Sequence, residues 1–248
     1  PENPVAFAQF RDGVRGLSDA AKNLWLKGYE RQPVPIISGN VSLYNESATG
    51  NAVSPTAVIA CVGTMADYSK AITMQLKQAG DKLFLVGPRK DELGGSALYQ
   101  ALGLGLGRNV PQVEWALERA MIYAVTDAID AGLLRACTDI SDGGLAVAVS
   151  EMCLGGFAKG QLGAEIDLEK VPTDLRLDKY LFSESSGFVM EATKGKEDEL
   201  KALFAGYGLE LAEIGEVTSE AELEIETADR EFKWSLAELK EAWLGGLP

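Results

Sequence analysis

Four short stretches crowd glycines, hydroxyls and carboxylates where a plain fold needs none of them. The first is Ser38-Gly39-Asn40-Val41-Ser42-Leu43-Tyr44-Asn45-Glu46, directly after an apolar run. A glycine there lets the backbone come close to a ligand. Asn40 offers a neutral oxygen suited to Mg²⁺, and Ser42 a hydroxyl suited to a phosphate. An Asx-rich turn explains the same residues. The second stretch is Thr138-Asp139-Ile140-Ser141-Asp142-Gly143-Gly144-Leu145. Paired carboxylates at a strand end can hold Mg²⁺, and glycines opening a helix can turn its N–H groups toward an anion. The alternative is a helix start, with Asp142 as N-cap and Gly143 allowing the turn. The third is Glu92-Leu93-Gly94-Gly95-Ser96, and the fourth Leu181-Phe182-Ser183-Glu184-Ser185-Ser186-Gly187. Each reads as a ligand loop or as an ordinary turn into the next element. Gly103 to Gly107 repeats glycine, but it lacks the Lys-Ser/Thr pair of a phosphate-binding P-loop.

The 248 residues include no histidine. That excludes Ser-His-Asp and Cys-His catalysis and any histidine-ligated zinc. With 23 Lys+Arg against 37 Asp+Glu, the formal charge is −14, which argues against a nucleic-acid partner. Cys61, Cys137 and Cys153 share no metal or redox spacing, and a sparse odd set suggests reduced thiols, buried packing and a cytoplasmic location. No apolar run approaches the roughly 20 residues of a membrane span. The chain opens at Pro1 and reads as a piece of something longer.

The elements that must position these stretches follow from periodicity. Asn3-Pro4 reads as an N-cap and first helical residue, and Phe7, Phe10, Val14, Leu17, Ala21 and Leu24 continue one helical face. Pro35–Ile37 and Ala57–Gly63 read as buried strands around the first motif. Lys82–Gly87, Leu133–Thr138, Gly187–Ala192, Leu209–Val217 and Leu223–Glu226 read as further strands. Val113–Ala131, Leu145–Cys153 and Lys196–Phe204 read as helices. Ser235-Leu236-Ala237-Glu238 is a capping box, with Trp234 and Leu239 spaced as a hydrophobic staple. The change of style places a boundary near residues 66–80, with a smaller α+β unit before it and a layered α/β-type unit after it.

In order along the chain, PENPVAFAQF, GNVSLYNES, SPTAVIACVG, ELGGS, DISDGGLAVAVSEM and LFSES resemble the synthetase component of the phosphoribosylformylglycinamidine synthase family. The resemblance covers essentially the whole chain. It implies an α+β class: an aminoimidazole ribonucleotide synthetase-like N-terminal domain over residues 1–72, then a C-terminal α/β layered domain over 73–248. Family members carry two such units in tandem, and this chain resembles the second. By resemblance, Gly39 contacts ATP, Asn40 ligates Mg²⁺ and Ser42 contacts formylglycinamide ribonucleotide. Glu92, Asp139, Asp142 and Glu184 fall at a pseudo-symmetric second nucleotide site that is structural in some members. There Asp142, Gly143 and Gly144 are expected to contact nucleotide, Glu184 and Ser185 substrate, and Asp139 a metal ion.

No catalytic residue is expected in this chain, because the family's catalytic histidine and most acidic Mg²⁺ ligands lie in the first half. The implied reaction converts formylglycinamide ribonucleotide to an amidine with ATP and ammonia from a glutaminase partner. A non-catalytic nucleotide-holding or assembly module is the alternative. The continuously apolar runs at 35–37 and 57–63 want cover on both faces, so the isolated chain is expected to form a homodimer. Two departures from the family pattern stand out: Ser38 replaces a usual glycine, and Thr138 replaces a common histidine. The connection Trp25 to Pro33 is also longer than usual.

Overall fold

The computed structural model describes residues 3–40, 50, 55–155, 161–171 and 173–246. The chain divides into two compact units, Pro1–Ala66 and Asp67–Pro248.

In the N-terminal unit, Asn3 accepts from the backbone N–H groups of Val5 and Ala6 and starts helix α1, Pro4–Asn23, with proline in the first turn. These bonds satisfy donors that a helix start leaves open. The long connection after α1 folds into consecutive turns, through Tyr29 N–H to Leu26 O (2.9 Å) and Gln32 N–H to Tyr29 O (3.0 Å). Val34 N–H then returns to Ala21 O at 2.8 Å. An open apolar groove of about 410 Å³ runs between α1 and this returning segment, lined by Val14, Leu17, Ala21, Val34 and Ile36.

The buried strands expected at Pro35–Ile37 and Ala57–Gly63 do not form; both segments lack strand pairing and are exposed. Ile37, Val58 and Val62 are 86%, 91% and 92% exposed. A strand needs a partner edge, and among the described residues of this unit there is none. The apolar pattern encodes burial on both faces, and α1 buries none of its own residues.

The C-terminal unit is an α+β sandwich. Its strands are β1 (Lys82–Val86), β2 (Leu134–Asp139), β3 (Gly163–Asp167), β4 (Phe188–Ala192), β5 (Ala212–Thr218), β6 (Glu222–Thr227) and β7 (Arg230–Ser235). Its helices are α2 (Ala97–Ala101), α3 (Trp115–Asp130), α4 (Gly144–Leu154), α5 (Leu177–Phe182), α6 (Glu197–Gly206) and α7 (Leu236–Gly245). The seven strands form one sheet in the order β2-β4-β1-β5-β3-β6-β7. Only β3 and β6 run parallel; every other neighbouring pair is antiparallel. The expected layering of helices on a sheet is present, built from antiparallel pairs.

Alternation along β1 shows why both faces are covered. Leu83 and Leu85 enter one apolar core with α4, α5 and α7, while Phe84 and Val86 enter a second with α3 and α6. Successive side chains of a strand point to opposite faces, so a fully apolar run suits a strand with helices on both sides. The predicted capping box is present: Ser235 Oγ accepts from Glu238 N–H, and the Glu238 carboxylate accepts from Ser235 N–H. Trp234 stacks on Phe232, with centroids 6.0 Å apart and ring planes 7° apart. Strands β3 and β7 and helix α5 escaped the sequence reading, because each is short and carries a glycine or charges inside its pattern.

All three cysteines are free, and Cys61 is exposed rather than packed. Burial pushes the Cys137 and Cys153 thiols up to about 12, which leaves both unreactive at neutral pH. Among the described residues no helix is long and apolar enough to cross a membrane.

Candidate functional site

The place of β4 between β1 and β2 decides where the motifs meet. Val86 at the end of β1 and Asp139 at the end of β2 both pair with Phe188 at the start of β4. The loops carrying Glu92–Ser96, Ile140–Gly144 and Leu181–Gly187 therefore leave the sheet at the same end. Three motifs that lie far apart in sequence converge there.

Glu184 joins them. Its Oε1 accepts from the backbone N–H of Gly143 at 2.8 Å and from that of Ala97 at 2.8 Å. Gly143 is the N-cap of α4 and Ala97 opens α2, so one carboxylate satisfies a donor at the start of each helix. A negative group is also favoured at the α4 N-terminus by the helix dipole. Ser185 is buried and donates to Glu92 Oε2 at 2.8 Å. Its proton is thereby committed, so at the 2.7 Å contact between the two hydroxyls Ser183 donates to Ser185. Ser96 caps α2, accepting from Tyr99 N–H and donating to Leu93 O at 2.8 Å.

The glycine pair is required by space and by backbone. Gly143 and Gly144 have φ of 82° and 70°, values that L side chains rarely adopt. A Cβ on Gly144 would lie 2.7 Å from Leu181 O. The pair's amides turn inward: Gly143 N–H meets Glu184, and Gly144 N–H meets Ser141 O at 3.0 Å. Asp142 does not cap α4; the N-cap position is Gly143, without a side-chain bond. Asp139 and Asp142 are exposed. Among the described residues no three acidic, cysteine or histidine side chains come together to hold a metal ion.

Sequence reasoning missed Arg89. It is buried, 8% exposed, and donates from Nη1 to Ser183 O at 3.1 Å and from Nη2 to Ser186 O at 2.8 Å. Burial lowers its pKa to about 10, against the pull of Tyr180, Glu92 and Glu118, so it stays charged at neutral pH. The same burial raises Tyr180 to about 12. Arg89 clamps the loop that presents Glu184 and Ser185. In the sequence it stands in Pro88-Arg89-Lys90, with nothing to separate it from a surface arginine. Ser186 adds a bond to Glu118 of α3.

The structure thus brings together Asp139, Asp142, Gly143, Gly144, Glu184 and Ser185 with Glu92. Gly39 and Asn40 belong to the N-terminal unit, in exposed backbone outside any helix or strand. Ser42 lies outside the described residues.

Removing the Glu184 carboxylate leaves two helix-start donors without their partner. Glu184→Ala is expected to lower unfolding free energy by about 2 kcal/mol in urea titrations. Glu184→Gln, which keeps an oxygen at that position, should recover part of the loss. Equal stability of Glu184→Ala and the parent chain would show that the carboxylate does not hold the two helices.

Comparisons with known proteins agree with this architecture. Residues 78–227 match the family model described as AIR synthase related protein, C-terminal domain. The PurL subunit of phosphoribosylformylglycinamidine synthase from Methanothrix thermoacetophila is 51% identical, aligned over 100% of this chain and 31% of its own length. The corresponding subunit from Alkaliphilus metalliredigens is 34% identical over 100% of this chain and 31% of its own. The chain thus spans about a third of the length of these relatives. Thermotoga maritima PurL complexed with FGAR superposes with a TM-score of 0.60 at 18% identity, covering 69% of this chain and 29% of the other. The same protein complexed with ATP gives 0.55 at 19% identity, covering 69% and 27%. At such identity these two structures speak for the fold alone. The chain belongs to the AIR synthase related family, and residues 78–227 are that family's C-terminal domain.

Proposed function

We propose that this chain is the second, C-terminal part of a cytoplasmic ATP-dependent ligase of purine biosynthesis. The enzyme would convert formylglycinamide ribonucleotide and glutamine-derived ammonia into the amidine. The observation that carries this reading is 51% identity to a PurL subunit along the entire chain. Thermotoga maritima PurL, which shares the fold, has been solved with ATP, with FGAR and as PurLQS; the nucleotide, the substrate and the glutaminase partner proposed for the present chain rest on the identity to a PurL subunit along its whole length.

In this reading ATP phosphorylates the formyl amide oxygen, and ammonia then displaces phosphate at that carbon. Such chemistry needs positioning and charge stabilisation more than a reactive side chain, which suits a chain without histidine. Gly39 would allow the nucleotide close approach, and Ser42 would meet the substrate. Mg²⁺ usually keeps several waters and takes few protein ligands beside the phosphates. Asn40, exposed and neutral, fits as one such ligand, and Asp139 as a single exposed carboxylate in the C-terminal unit. Neither makes a complete site, so the first half of the synthetase would provide the remaining acidic ligands and the catalytic histidine.

A second reading is favoured by the inward-turned amides of Gly143 and Gly144. There Asp142–Gly144, Glu184 and Ser185 serve assembly and shape, and this part holds or braces nucleotide without chemistry of its own. The exposed apolar runs of the N-terminal unit bear on assembly too. An unpaired apolar segment is a liability in water, and a second copy related by a two-fold axis would cover it in the isolated chain.

With ATP, substrate and ammonia, the pure chain should give no product above background, and clear turnover would overturn the half-enzyme reading. In the full-length enzyme, Asn40→Ala should reduce kcat about 100-fold while moving stability by no more than about 0.5 kcal/mol, as for other exposed changes. Lost stability with intact kinetics would assign Asn40 to a turn instead. Sedimentation of the isolated chain at moderate salt should report twice its mass. A monomer at tens of micromolar would reject the dimer.

A further inference from the structure

The sheet end opposite the motif loops holds a cluster that the ligase reading does not use. Asp81, just before β1, and Glu191 in β4 are both 0% exposed. Glu191 lies beside Leu83 of β1 in the antiparallel register. Its Oε2 accepts from Lys77 N–H at 2.8 Å and its Oε1 from Gln78 N–H at 2.9 Å. Further bonds hold the same stretch. Leu76 N–H meets Met152 O of α4 at 3.1 Å, and Gly80 N–H meets Val217 O of β5 at 2.8 Å. Glu191 thus pins the segment that leads from the unit boundary at Ala66 into β1.

The formal charges of this cluster do not balance. Two buried carboxylates face one guanidinium, Arg135 of β2, whose Nε lies 2.6 Å from Asp81 Oδ2. Yet neither Asp81 oxygen, nor that Nε, has a partner in hydrogen-bonding geometry. Arg135 is the one cation in ion-pair contact with the two carboxylates, because Lys77 Nζ is taken up by Thr73 Oγ1 and Gln75 O, and a buried carboxylate without such a contact is costly. One retained proton resolves both faults. It leaves a single negative charge against Arg135, and it gives Asp81 the donor it lacks. The other charged groups around the pair are Lys77, on the pinned segment, and Lys194, whose Nζ approaches Gly80.

We propose that Glu191 retains a proton beside the buried carboxylate of Asp81, and that its loss to solvent releases the segment 77–81 from the sheet: a pH-sensitive latch on the chain entering the C-terminal unit. The proton resides on Glu191. Burial is the main cause that pushes this carboxyl up to about 7, and Asp81 adds to it, while the two backbone N–H bonds oppose the rise. The folded state therefore holds a proton where an unfolded glutamate has lost it. The stabilisation is complete below about 4.5 and is lost as pH rises through about 7. No substrate, nucleotide or partner takes part in this latch.

The experiment is carried out on the whole chain. The side-chain carboxyl carbon of Glu191, followed by ¹³C NMR, should titrate near neutrality. Amide exchange at Lys77 and Gln78 should rise about tenfold more between pH 6 and 8 than chemical exchange alone predicts. In thermal melts, Glu191→Gln supplies a permanent amide donor to Asp81, so its midpoint should fall less than the parent's from pH 5 to 8, by roughly 5 °C. Titration of Glu191 below pH 5 would overturn the retained proton. Flat protection at residues 77 and 78 across neutrality would overturn the latch, whether or not the Gln variant folds.

Discussion

One oxygen of Glu184 receives the opening N–H groups of two helices, and the candidate site takes its shape from that contact. The helices arrive from different crossings of the sheet, α2 after β1 and α4 after β2. Their starts meet only because β4 runs between those strands in the opposite sense, carrying Glu184 in on its approach. Arg89 secures that approach from behind through the carbonyls of Ser183 and Ser186. A buried guanidinium bonded to carbonyls, with carboxylates nearby, is costly to place, and it fixes a loop that has no regular structure of its own. An anion at a helix start is usually a guest; at α4 the carboxylate comes from within the chain.

The C-terminal unit was largely legible in the sequence because its pattern is self-sufficient. Leu83–Val86 is a continuous apolar run, Phe188–Ala192 is apolar apart from Glu191, and the helices that cover both faces lie in the same unit. The capping box at Ser235 was readable because a cap depends on residues three apart. The N-terminal unit reads differently. Ala57–Gly63 has the composition of a buried strand, but burial depends on what lies alongside, and the described residues of that unit offer no strand to pair with. Composition specifies the demand for a neighbour without specifying the neighbour.

For the candidate site, sequence showed which residues are unusual but not what they do. Gly143 and Gly144 stood out, and the structure accounts for them by positive φ and by the closeness of Leu181 O. Asp142, the cap of α4 on one of two readings, is not that cap. Arg89, Asp81 and Glu191 were invisible, since a lone charged residue beside an apolar run gives no sign that it is buried. Their burial comes from strand order, and strand order is set by pairings between distant segments.

That distance has a consequence for how the molecule comes into being. β1 is central in the sheet, and its two neighbours are β4 and β5, so Leu83 waits for Glu191 and Gly215. During synthesis at about 5–20 residues per second, such a segment stays unpaired for several seconds after it is made. Long-range pairings of this kind also slow folding, because loop closure precedes the contacts that reward it. The most apolar strand of the sheet is thus the one that waits longest for its neighbours as the chain emerges.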